Sequence, residues 1–127
     1  SDYLAKDNKH YYLINQSVQN GSTSSIYHLR KYLVREYKSI CPTLTANMGL
    51  GGHNVPFVKD RWGIRRLSIT ECLKLQGYPL DAFEFSDDVP KAKRYLHIGN
   101  SVTVPVASAI MANIVKEIKK YKRGNEL

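Results

Sequence analysis

Few residues in this sequence are equipped for bond-making chemistry. Cys41 and Cys72 stand far apart, with no paired-cysteine motif and no histidine at metal-ligand spacing. They read as two free thiols, and no metal site is expected. A more suggestive group is Gly99-Asn100-Ser101, just ahead of Val102-Thr103-Val104-Pro105. Small polar residues at a helix start present backbone N–H groups to an anion, although Asn100 or Ser101 would serve equally as a plain helix cap. Two further stretches, Gln19–Ser25 and Asn47–Gly52, mix small and polar side chains with glycine, which tolerates unusual backbone angles. The formal charge of +8 favours a polyanionic partner, because clustered cations release counterions from a phosphate backbone. A solvated basic surface with no partner is the plainer alternative.

These groups need elements to hold them. A chain of 127 residues suffices for one modest domain with its own core. Three zones divide it: 1–64, 65–97 and 98–127. In the first, Tyr11-Tyr12-Leu13-Ile14, Tyr32-Leu33-Val34 and Pro42-Thr43-Leu44-Thr45 read as strands from their aromatic and β-branched content. In the second, Ser68-Ile69-Thr70-Glu71 has the capping-box form, and Ile69, Cys72, Leu73 and Gln76 follow at helical spacing until Gly77 and Pro79 stop the helix. In the third, Pro105 suits a first helical turn, with Thr103 or Val104 before it. Val106, Ile110, Ile114 and Ile118 then recur every fourth residue, with Ala107, Met111 and Val115 beside them and a basic end. The expected fold is α+β: a small twisted antiparallel β region, a short capped helix and a long C-terminal amphipathic helix. No apolar run approaches the ~20 residues of a membrane span, and Ser1–His10 is too polar for a signal peptide, so a cytoplasmic protein without membrane contact is expected.

Two stretches go beyond such generic reading. Arg65-Arg66-Leu67-Ser68-Ile69-Thr70-Glu71-Cys72-Leu73-Lys74-Leu75-Gln76-Gly77-Tyr78-Pro79 is followed, in order, by Ile98-Gly99-Asn100-Ser101-Val102-Thr103-Val104-Pro105. The pair closely resembles the last two sequence blocks of bacterial DNA cytosine-5 methyltransferases, across Arg65 to Val115. Upstream, Thr43-Leu44 matches the Thr-Leu pair near the end of that family's target-recognition region.

The resemblance implies a C-terminal DNA-recognition portion of an enzyme that moves a methyl group from S-adenosylmethionine to carbon five of cytosine in double-stranded DNA, as in restriction-modification. It places Asn100, Ser101 and Val102 against the cofactor. It places Gln19, Asn20, Ser22, Arg30, Thr43, Thr45, Asn47, Gly49, Gly51 and Gly52 on DNA. The amides of Gln19 and Asn47 suit base edges, Thr43 a phosphate, and the glycines close backbone approach to a duplex from which a base is flipped. Arg30, Lys31, Arg35, Lys38, Lys59 and Arg61 would make positioning contacts to phosphates. Arg65, Glu71 and Gln76 are assigned structural roles. The family's nucleophilic cysteine lies in a Pro-Cys-Gln loop. Cys41-Pro42 reverses that order and Cys72 sits on a helix, so no catalytic residue is assigned. The chain alone is expected to be inactive and to need the catalytic domain of the same protein or a separate catalytic subunit. Excised domain and natural small subunit both remain open. So does a stand-alone, non-catalytic DNA-binding or regulatory module. The apolar stripe Val106–Ile118, if uncovered, invites dimerisation.

Overall fold

Alternation along Ser25-Ile26-Tyr27-His28-Leu29-Arg30 buries Ser25, Tyr27 and Leu29 and turns the other three residues to the opposite face. A computed structural model of the chain describes residues 3–19, 24–49 and 54–125. It orders the elements as α1 (Lys9–Gln19), β1 (Ser25–Arg30), β2 (Leu33–Lys38), β3 (Val55–Asp60), β4 (Gly63–Arg66), α2 (Ile69–Gln76), α3 (Lys91–Asn100) and α4 (Val104–Asn125). The strands form one antiparallel sheet, β2-β1-β3-β4, as the α+β reading expects. On one face, Ile14 and Val18 of α1 pack with Tyr27, Leu29, Val55, Phe57 and Ile64. On the other, Leu44, Met48, Leu67, Cys72, Leu73, Tyr95 and Ile98 form a second cluster that takes in Ile26 and Val58. The sheet is thus the middle layer between two apolar clusters.

Three local expectations need correction. Tyr11–Ile14 is not a strand but part of α1, because Tyr11, Ile14 and Val18 share one helical side against the sheet. Asn8 starts that helix, its side chain accepting from the His10 amide at 2.9 Å and its carbonyl from the Tyr11 amide at 2.9 Å. Pro42–Thr45 pairs with no strand. It is anchored instead by buried Pro42 and Leu44. Tyr32 lies in the β1–β2 turn, and only Leu33 and Val34 of its triplet enter a strand.

The capped helix forms as its sequence dictates. The Glu71 amide donates to Ser68 Oγ at 3.2 Å, and the Ser68 amide donates to Glu71 Oε2 at 2.7 Å. Gly77, left-handed at φ 78°, closes α2. Downstream, α3 is a helix the sequence reading did not anticipate, and it contributes Tyr95 and Ile98 to the core. The zone boundaries at 64/65 and 97/98 fall within β4 and α3.

The Thr103 carbonyl then accepts from the Val106 and Ala107 amides, each at 3.1 Å, and α4 begins. Along α4, Val106, Ile110, Met111, Ile114, Val115 and Ile118 are all 43–57% exposed. The stripe is therefore about half-exposed, which meets the condition set for dimerisation. The stretch Lys91–Gly124 reaches a mean hydropathy of 1.5 over 18 residues, which by length and composition alone would cross a bilayer. This corrects the expectation that no run approaches that length. The stretch is nevertheless interrupted at Ser101–Thr103, and α4 confines its large apolar residues to one half of its circumference.

Candidate functional site

The segment 41–49 crosses the second cluster with alternating loyalties. Pro42, Leu44 and Met48 are buried, while Thr43 and Asn47 point to solvent and Thr45 is half-buried. Thr45 Oγ1 donates to Asn47 Oδ1 at 2.7 Å, and the Met48 amide donates to the Thr45 carbonyl at 3.1 Å, so the exposed side chains sit on a fixed turn. The end of α3 lies directly on this segment. A Cβ at Gly99 would stand 2.3 Å from the Ala46 nitrogen and 2.3 Å from the Thr45 carbonyl carbon, so only glycine permits the approach.

This contact creates a cleft of about 340 Å³ lined by Cys41, Pro42, Thr43, Leu44, Leu75, Gln76, Gly99, Ser101 and Thr103. Gln76 is buried beneath it and ties three elements together. Its Nε2 donates to the Ile98 carbonyl at 3.2 Å, and its Oε1 accepts from the Thr103 hydroxyl at 2.7 Å. The end of α3, the start of α4 and α2 are thereby held in one arrangement.

Of the residues assigned to DNA, Thr43 lines the cleft, and Thr45 and Asn47 lie on the same segment. Gly49 packs on Tyr95, where a Cβ would meet Tyr95 Cβ at 2.6 Å, and its carbonyl accepts from Arg66 Nη1 at 3.4 Å. Arg30 is exposed at the other end of β1 from Ser25 and does not line the cleft. Gln19 ends α1, while Asn20, Ser22, Gly51 and Gly52 lie outside the described residues.

The residues assigned to the cofactor are placed differently from expectation. Gly99 and Asn100 are the last residues of α3, not the start of a helix. The Ser101 amide and hydroxyl both donate back to the Ile98 carbonyl, at 3.2 and 2.7 Å. That amide is spent on closing α3, so Ser101 does not present a free N–H group at a helix start. Asn100 is exposed and Val102 is 64% exposed, leaving one amide side chain and one isopropyl group available beside the cleft.

Neither cysteine is poised as a nucleophile. Burial pushes the Cys72 thiol up to about 12, and it is fully enclosed. Burial also raises Cys41, whose Sγ donates to the Pro42 carbonyl at 3.1 Å. The strongest charge network was only partly visible in the sequence. Arg65 donates to Glu71 through Nη1 and Nη2 at 2.8 and 2.9 Å, and through Nε to Asp60 at 2.8 Å. Asp60, missed in sequence reading, had one signal: its place before Arg61-Trp62-Gly63 at a hairpin turn.

Comparison with known proteins gives this geometry a context. Residues 3–116 match the family described as C-5 cytosine-specific DNA methylase. The chain is 48% identical over 117 residues to the Type II methyltransferase M.Bsp6I of Bacillus sp. (strain RFL6), covering 91% of this chain and 36% of that protein. It is 42% identical over 59 residues to M.NlaIV of Neisseria lactamica, covering 46% of this chain and 13% of that protein. With M.MspI of Moraxella sp it shares 41% identity over 64 residues, 50% of this chain and 15% of the relative. The chain thus spans between 13% and 36% of these relatives' lengths. No solved structure matches it.

Proposed function

The chain belongs to the C-5 cytosine-specific DNA methylase family, and from that membership we propose that it is the C-terminal, DNA-reading portion of a bacterial restriction-modification methyltransferase. The observation that carries the proposal is the cleft that Thr43 and Ser101 both line, next to an α4 whose apolar face is about half-exposed. In this reading residues 1–64 recognise the target, 65–97 brace that region, and 98–127 dock it on a catalytic part. The whole protein transfers a methyl group to carbon five of cytosine in double-stranded DNA, in the cytoplasm. S-adenosylmethionine supplies that group.

Thr43, Thr45 and Asn47 meet the DNA from their anchored turn, with Gly49 beside them and Arg30 contributing from the far end of β1. Gln19, at the end of α1, and Asn20, Ser22, Gly51 and Gly52 complete the set that contacts DNA. Asn100, Ser101 and Val102 meet one edge of the cofactor, through the exposed amide of Asn100 and the side chain of Val102. The nucleophilic thiolate comes from the catalytic part, since Cys41 and Cys72 are both held as thiols. The chain alone therefore transfers no methyl group.

A complementation assay tests this. The chain, a catalytic fragment of the family, labelled S-adenosylmethionine and duplex DNA are mixed, and label is expected in the DNA only when both proteins are present. Absence of transfer with every catalytic fragment overturns the reading. A tight, sequence-selective gel shift by the chain alone would instead favour a stand-alone binding module.

A further inference from the structure

One patch outside the cleft gathers cations that have no carboxylate partner among the described residues. On the sheet face opposite α1, His28 of β1 stands directly across from Arg35 of β2, and Arg30 follows two positions along on the same face. Both arginines are exposed, and among the described residues neither guanidinium has an ion pair or hydrogen bond. Glu36, the nearest carboxylate in sequence, turns to the other face, where its Oε1 accepts from Ser25 Oγ at 2.7 Å. The imidazole of His28 lies by the Asn54 backbone and meets Tyr37 edge-on at 6.2 Å between centroids. Its Nε2 is buried and has no hydrogen-bond partner. A buried polar atom left unpaired is destabilising.

We propose that His28, Arg30 and Arg35 form an anion subsite on the outer face of the β1–β2 hairpin that takes a DNA backbone phosphate, with Nε2 of His28 acquiring a solvent proton as the phosphate docks. The inference rests on the DNA-reading function proposed above and adds a place and a proton to it. A phosphate gives both guanidiniums an acceptor and turns the unpartnered Nε2 into a donor. The long, exposed arginine side chains can swing toward the phosphate, and a small rotation of the imidazole would open Nε2 to it. Without DNA, burial foremost, with smaller contributions from Arg30 and Arg35, holds the imidazole below its ordinary proton affinity, against an opposing contribution from the Asn54 backbone that exceeds that of either arginine. The groups that face the ring are Arg30 on β1, Arg35 and Tyr37 on β2, and Pro56 and Asn54 at the start of β3. None is an acid. The ring is neutral near pH 7, the anion favours its cation, and DNA affinity should therefore fall as pH rises.

The test is an NMR titration of the full chain with a short duplex, following the His28 ring nitrogens between about pH 5.5 and 8. The duplex is expected to raise the His28 midpoint by about one unit. Replacing both arginines (Arg30→Gln and Arg35→Gln) is expected to reduce the slope of log affinity against log salt by about two. His28→Gln should flatten the pH dependence of binding. If the duplex shifts Thr43–Gly49 resonances and leaves His28 unmoved, the DNA reading stands and the subsite falls. An unchanged salt slope in the double variant overturns the subsite as well. If no resonance moves at any pH, both readings fall together.

Discussion

Asp60 accepts from the amides of Trp62 and Gly63 at 2.8 and 3.1 Å, and from Arg65 Nε and the Tyr3 hydroxyl at 2.8 and 2.9 Å. These bonds, Arg65 foremost, hold its carboxyl down at about 2, and Arg65 likewise holds Glu71 below the usual carboxylate range. A carboxylate with a depressed folded-state value stabilises the fold above its unfolded value, near 4, and that contribution drains as pH falls toward about 2. Thermal unfolding between about pH 5 and 2 should therefore steepen with acid in the natural chain and much less in Arg65→Met. Equal slopes would show that this network does not couple to folding. Gly99 supports a second prediction at this scale. Gly99→Ala forces a methyl group onto the Thr45–Ala46 backbone, which cannot yield as a side chain would. The expected cost is about 1–3 kcal/mol by denaturant titration, with loosened amide exchange at Thr45–Met48.

Among the elements, legibility followed how local the determining interactions are. The α2 helix could be read residue by residue, since Ser68, Glu71 and Gly77 cap it within its own sequence. The α4 stripe was equally plain. By contrast, α1 was misread because Tyr11, Tyr12 and Ile14 suit a strand, although Tyr11, Ile14 and Val18 carry the helical period that the sheet enforces. The α3 helix went unseen because it buries only Tyr95 and Ile98 and no side chain caps its start at Pro90. At the site, Thr43 and Ser101 could each be picked from sequence. Their common cleft could not, since it depends on Gly99 meeting Thr45, a contact between distant stretches. Gln76 is the element-scale joint. Gln76→Leu removes the acceptor of the Thr103 hydroxyl while the Ile98 carbonyl keeps its bonds from Ser101. It should cost about 1–2 kcal/mol and speed amide exchange at Val106 and Ala107, leaving β1–β3 amides protected. Uniform loss of protection instead would mean Gln76 supports the whole core.

At the scale of the whole molecule the unresolved balance is α4. A helix in a protein draws most of its stability from packing its amphipathic face, yet six large apolar residues of the 22-residue α4 remain roughly half-exposed. Covering that face would contribute something like half of the ~1.5–3 kcal/mol that each such side chain gains on full burial. In the intact enzyme the proposed cover is the catalytic part. In the isolated chain the most available apolar surface is another α4, so concentration-dependent dimerisation is expected in analytical ultracentrifugation, with helicity rising alongside it. Ile110→Asp combined with Ile114→Asp should abolish that association. The melting of the sheet should be unchanged, because the apolar clusters on both of its faces contain no α4 residue. The same double substitution should then prevent methyl transfer in the complementation assay, while DNA contacts from the Thr43 segment persist. A chain that stays monomeric with a fully formed α4 would exclude the dimer. Transfer undiminished by the two aspartates would remove α4 from the docking surface altogether.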